Sequence, residues 1–166
     1  QIARGEDVIS RIIYATAGGR NGSSAEMQTL VIETINSLIA AACEKAKVPC
    51  DFYVKTLHRD DYPSAVPPEL RKDFIWLEGG KGFYDNMWCI NPQEVVDFMR
   101  TVTKPWIAFK VLAAGAHDSI QAFPYAIKNG ADFIAVGMFD FHIKENSELV
   151  GRVVRREQNR QRPWRA

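Results

Sequence analysis

The sequence predicts an α/β fold of three parallel βα units preceded by two helices. Two observations carry this. From Asp51 onward, short runs rich in aromatic and β-branched residues alternate with longer runs whose apolar residues recur at helical spacing. Parallel neighbours need crossover connections, and this alternation supplies one helix after each strand.

The elements follow in order. "GEDVISRIIYATAGG" sets Val8, Ile9, Ile12 and Ile13 on one helical face and stops at a glycine pair. A second, longer helix starts from Ser24 as N-cap, repeats Met27, Leu30, Val31, Ile35, Leu38 and Ile39, and ends near Pro49. "CDFYVKTL" is the first strand. The stretch from His58 to Ile90 is long and irregular, with a hairpin expected around Gly79 and Gly80. "NPQEVVDFMRTV" has a well-marked helix start, with Asn91 as N-cap, Pro92 at the first helical position and Glu94 placed for a capping box. "KPWIAFKVLAAG" is the second strand. "HDSIQAFPYAIKNG" is a helix stopped by Gly130, its first turns disturbed by Pro124. "ADFIAVGMF" is the third strand and "NSELVGRVVRR" the last helix. The chain thus divides into a helical segment (1–48), the βα units (49–154) and a basic tail (155–166).

Composition bounds the function. The chain has 166 residues, a formal net charge of +1, 46% hydrophobic and 25% charged residues, so it suits one ordinary globular core. That balance gives no reason to expect nucleic acid or a membrane surface as partner. Six arginines between Arg152 and Arg165 are the lopsided feature, and they read as a solvated helix end that frays. The three cysteines, Cys43, Cys50 and Cys89, fit no metal spacing and are expected as reduced thiols. No apolar run spans a bilayer and no leader pattern opens the chain, so a cytoplasmic protein is expected.

Period-two parity points to a site. Ile107, Phe109 and Val111 share one face of the second strand; Trp106, Ala108, Lys110 and Leu112 share the other. In the first strand Phe52 and Val54 oppose Asp51, Tyr53 and Lys55. If helices cover the bulky faces, Lys55 and Lys110 project together to the opposite side near the strands' C-terminal ends, where parallel α/β folds bind ligands. Buried ammonium groups must be paired, shifted in pKa or reacting. The bland alternative is two lysines held in ion pairs at strand ends.

All three histidines, His58, His117 and His142, fall just past a strand end, which fits an acid/base or ligand-binding cluster. The glycine-containing exits "LAAGAHD" and "AVGMFD" present Gly115, Ala116 and Gly137 as a seat for phosphate or carboxylate. Tyr53 and Asp140 are candidates to carry protons.

Over Asp51 to Phe141, "KPWIAFKVLAAGA" and "AFPYAIKNGADFIAVGMFDF" resemble the C-terminal part of aldolase-type TIM-barrel proteins of bacteria. More narrowly, "DFYVKT" and "AFKVLAAGA" are similar to strand motifs of deoxyribose-phosphate aldolase. The resemblance implies a partial TIM barrel, with Lys55 as Schiff-base residue and Lys110 as the cation that lowers its pKa. It further implies carbon-carbon lyase chemistry on a carbonyl or sugar-phosphate-like small molecule, with no cofactor. A whole barrel takes about 250 residues, so an N-terminal half is missing, the two N-terminal helices cover the open edges, or copies associate. Two alternatives stay open: a sugar isomerase or epimerase using a divalent metal on histidines and carboxylates, and a non-catalytic partial barrel acting as an interaction module.

Overall fold

The computed structural model describes residues 37–47, 51–73 and 89–165. The expected first helix, the start of the second, Cys50 and the hairpin at Gly79 and Gly80 lie outside the described residues. Within them the chain is α/β, with a three-stranded parallel sheet in the order β1-β2-β3.

Helix α1 (Ser37–Lys45) leads to β1 (Tyr53–Thr56). A loop and a short 3-10 helix (Pro68–Asp73) follow, then α2 (Pro92–Thr101). Asn91 accepts the Glu94 N–H at its side-chain oxygen and donates from its amide to the Glu94 carboxylate, so the cap forms through side chains on both residues. Strand β2 (Trp106–Phe109) is shorter than its apolar run. Helix α3 (Ser119–Lys128) starts at Asp118, whose carboxylate accepts the Gln121 N–H at 2.8 Å. Pro124 sits inside α3, and the Ile120 carbonyl it leaves without a donor belongs to a residue that is itself exposed. Strand β3 (Phe133–Ala135) and a 3-10 turn (Asp140–His142) lead to α4 (Ile143–Arg156).

The sheet faces its helices with the side that parity assigned to the ligand. Trp106 and Ala108 are fully buried and pack with Val95, Val96 and Met99 of α2 and with Ala122, Phe123 and Ala126 of α3. Lys55 pairs in register with Ala108, so it too points at the helices. On the other face Val54, Ile107 and Phe109 are half-buried, Ala135 is exposed and Phe133 is 50% exposed. The expected facing is therefore inverted. The run "WIAF" is apolar on both faces, so alternation does not fix which side the helices take. Small Ala108 lets α2 and α3 approach closely, and Trp106 fills the remaining space.

Beneath the strands' N-terminal ends the tail folds inward. Arg162 is buried and uses all five guanidinium donors, on the carbonyls of Met99, Val102, Lys104 and Gly130 and on Asp132 Oδ2. Arg160 donates to Asp132 Oδ1 at 2.6 Å and sits over Trp164, its guanidinium carbon 3.5 Å from the ring centroid. The backbone N–H groups of Trp106 and Arg165 complete four bonds to one carboxylate. Burial pushes the Asp132 carboxyl up, but Arg162 and the two amides outweigh it and hold it below the usual carboxylate range. The expected solvated end therefore holds for Arg152, Arg155 and Arg156, which are exposed, but not beyond them: Arg160 and Arg162 neutralise a buried acid and cap the carbonyls at the ends of α2 and α3. Gly130 permits this, with a φ of +110° and Arg162 carbons 2.9 Å from where a Cβ would sit.

Candidate functional site

At the opposite, C-terminal end of the sheet, β2 stops at Phe109 because the next residue turns left-handed. Lys110 has φ +56°, Ala113 +46°, Ala114 +55° and Gly115 +94°. Only the last is glycine; in the others the Cβ crowds the following carbonyl, at a cost of roughly 1 kcal/mol each. Such strain persists only where the surroundings impose it. The turn is held by N–H bonds from Ala113 to the Lys110 carbonyl, at 2.9 Å, and from Gly115 and His117 to that of Leu112, at 2.9 and 3.1 Å.

A cavity of about 600 Å³ opens between this turn and the exit of β3. Its walls are Phe109 to Leu112, Ala114 and Gly115 from one exit, and Ala135, Val136 and Gly137 from the other. Three predicted site residues meet here: Lys110, Gly115 and Gly137. Lys110 is half-buried in walls otherwise made of apolar side chains and backbone. Burial lowers its pKa below the ordinary lysine value.

Lys55 does not line this cavity. It is 1% exposed on the helix side of the sheet, where its ammonium donates to Thr56 Oγ1 at 3.4 Å. Burial brings its pKa down to about 8, against the charge of Cys89 and Glu94, which raises it. The parity that joined the two lysines fails because Lys110 lies past the strand, on left-handed backbone that breaks the alternation.

His58 and His117 come together around Tyr62, with ring centroids 6.1 Å and 5.4 Å from the tyrosine. His58 is fully buried; its Nε2 accepts the Cys89 N–H at 2.9 Å, so Nδ1 carries the proton and donates to the Arg59 carbonyl at 2.7 Å. Burial, the His117 ring and the Lys110 charge lower its pKa against the Arg59 carbonyl and Asp60, so it is held as a neutral imidazole. His117 Nε2 lies 3.3 Å from the same Arg59 carbonyl and 3.7 Å from Asp61 Oδ1. Arg59 pairs with Asp61 and lowers that acid's pKa.

The remaining candidates lie elsewhere. Tyr53 donates to Glu44 at 2.7 Å under Lys104. Ala116 is exposed beyond the turn. Asp140 and His142 sit on the exposed turn after β3. Among the described residues no group of three or more His, Cys, Asp or Glu converges as a metal site, and neither Cys43 nor Cys89 is in a disulfide. No described helix is long and apolar enough to cross a membrane. Sequence reasoning missed Tyr62, Cys89, Ala113 and Ala114. The last two carry no signal, since alanine is not a residue expected at positive φ.

Residues 1–55 match the family model described as the RACo middle region. Of the matched residues, 37–47 and 51–55 are described, in α1 and most of β1. No curated protein and no solved structure matches the chain. The matching family is neither an aldolase nor a TIM-barrel family, so the resemblance drawn over Asp51 to Phe141 is corrected. It rested on "KPWIAFKVLAAGA" and "AFPYAIKNGADFIAVGMFDF", and its narrower form on "DFYVKT" and "AFKVLAAGA", which are patterns of apolar strand, lysine and small-residue exit. Parallel α/β sheets of unrelated descent produce such patterns, because their ligands bind where the strands end.

Proposed function

We propose that this chain carries a small-molecule enzyme site in which Lys110 forms a Schiff base with a carbonyl substrate, in chemistry of the carbon-carbon lyase type. The observation that carries the reading is the placement of Lys110 on a strained strand exit, in the wall of the cavity between β2 and β3. A lysine whose pKa is lowered by burial offers more neutral amine near neutrality. The amine nitrogen attacks the carbonyl carbon to form a C–N bond, and the carbonyl oxygen leaves as water, taking one proton from the amine and one from solvent. The resulting iminium accepts the electron pair of the neighbouring carbon-carbon bond as it breaks, and the proton of a β-hydroxyl passes to solvent at the cavity mouth. Gly115 and Gly137 keep the two strand exits free of side chains, which leaves room for the substrate's polar end.

We also read the three strands as an arc of a barrel. In support, the strands are parallel, neighbour one another in sequence order and carry α2 and α3 as their crossovers, with α4 following β3. One face is covered by helices, while Ile107, Phe109, Phe133 and Ala135 line the other, which further strands would close.

Reductive trapping tests the site. With a small aldehyde and cyanoborohydride, peptide mapping is expected to place saturable label on Lys110, rising with pH and levelling off below the ordinary lysine range. Lys110→Met is expected to remove it. Label spread evenly over surface lysines, with none in excess at Lys110, would overturn the reading.

A further inference from the structure

Two residues past Gly137 of the cavity wall begins a pair of exposed aromatic rings that no core cluster among the described residues includes. Phe139 is 68% exposed and Phe141 71%, and neither belongs to a core cluster. They are two residues apart, yet the 3-10 turn at Asp140–His142 brings the rings parallel, with centroids 5.3 Å apart and an interplanar angle of 6°. The turn is braced from several sides. Asp140 Oδ1 accepts the Phe141 N–H at 2.9 Å, and the His142 N–H donates to the Phe139 carbonyl at 3.0 Å. The His142 ring stands edge-on to Phe141 at 4.3 Å, and Asn146 donates to the Met138 sulfur at 3.5 Å. The rings are therefore set before any partner arrives. Gly137 lines the cavity, and at about 3.8 Å per residue the Phe139 Cα lies within about 7.6 Å of it.

We propose that Phe139 and Phe141 form a stacking platform at the cavity rim that selects carbonyl substrates carrying an aromatic ring. This rests on the Lys110 reading: the amine holds the carbonyl inside, and the ring lies on the platform outside. Aromatic rings prefer offset-stacked or edge-on contacts, and a rigid pair already stacked offers a further face for a third ring without new ordering. The same geometry gives Asp140 and His142 a task. Both stand after a strand end and outside the cavity, and both act as positioning residues that fix the turn under the two rings.

The test compares phenylacetaldehyde with cyclohexylacetaldehyde, which matches it in bulk and lacks a flat ring, in saturable borohydride trapping on the whole chain. The aromatic aldehyde is expected to half-saturate Lys110 labelling at roughly three- to tenfold lower concentration. The double substitution F139A/F141A is expected to bring the two half-saturation values together, the aromatic aldehyde losing more than the cyclohexyl one. Equal trapping in the parent protein, unchanged in the double variant, overturns the platform and leaves the lysine reading standing. If neither aldehyde labels Lys110, the lysine reading fails, and the platform is decided by fluorine NMR of 4-fluorobenzyl alcohol: line broadening lost in F139A/F141A supports it, and no broadening overturns it. A fall in molecular mass on making the double variant, measured by light scattering, would reassign the rings to a contact between copies and overturn it.

Discussion

At the N-terminal ends of β2 and β3, four donors converge on Asp132 and five guanidinium N–H groups of Arg162 all find acceptors. At the C-terminal ends of the same two strands, Lys110, Ala113 and Ala114 hold backbone conformations that their side chains disfavour, around an open cavity. The two ends are joined by strands of four and three residues. One end pairs its buried charges, leaving the Arg160 Nε–H and Trp164 Nε1–H without an acceptor among the described residues, and the other keeps strain and a partly desolvated amine. The difference teaches where stability and chemistry sit: an end whose buried charges are paired can hold the sheet rigid while the strained end stays available to a ligand.

The comparison can be broken most severely at Asp132. Asp132→Ala leaves two buried guanidinium groups without their counter-charge, and a loss of about 3–5 kcal/mol is expected. Urea unfolding followed by circular dichroism reads it, and a loss under 1 kcal/mol would mean that the tail is not packed as described. Next is Gly130→Ala, which combines the positive φ with a Cβ overlapping Arg162; about 2–3 kcal/mol of destabilisation is expected on the same measurement.

Lys55 sharpens the comparison between the two lysines. Its folded pKa of about 8 lies below the ordinary 10.5, so between those values the unfolded chain binds the extra proton. Stability is therefore reduced below pH 8 and recovers as pH rises toward 10.5, by about 3 kcal/mol. Lys55→Met is expected to flatten that part of the stability-pH curve relative to the parent. A parent curve that keeps its slope after the substitution would count against burial as the cause of the shift.

The smallest effect belongs to the strained end. Ala114→Gly relieves a left-handed residue that is exposed, and a gain of about 0.5–1 kcal/mol in unfolding free energy is expected. A loss would show that the Ala114 methyl contributes packing that outweighs its strain.

Much of this architecture was legible in the sequence. The strand and helix alternation predicts the parallel order, and Asn91 with Pro92 marks the start of α2. Lys110, Gly115 and Gly137 were legible as a group because strand exits in parallel sheets face one end. The facing of Lys55 was not. "WIAF" can bury either side, and the decision rests on how closely helices pack over Ala108, a tertiary fact with no period in the sequence. Asp132 and its arginines were hidden for another reason. They stand 28 to 33 positions apart, and a run of arginine near a helix end looks the same whether it faces water or a carboxylate.

The tail's contact with Asp132 also orders events in time. A ribosome delivers β1, β2 and β3 first, and Asp132 emerges well before residues 160–165 that neutralise it. Until they follow, the sheet's lower end holds a carboxylate that prefers water to burial. Closure of the domain then waits for residues 160–165, and a nascent chain paused after β3 is the form a chaperone would be expected to meet.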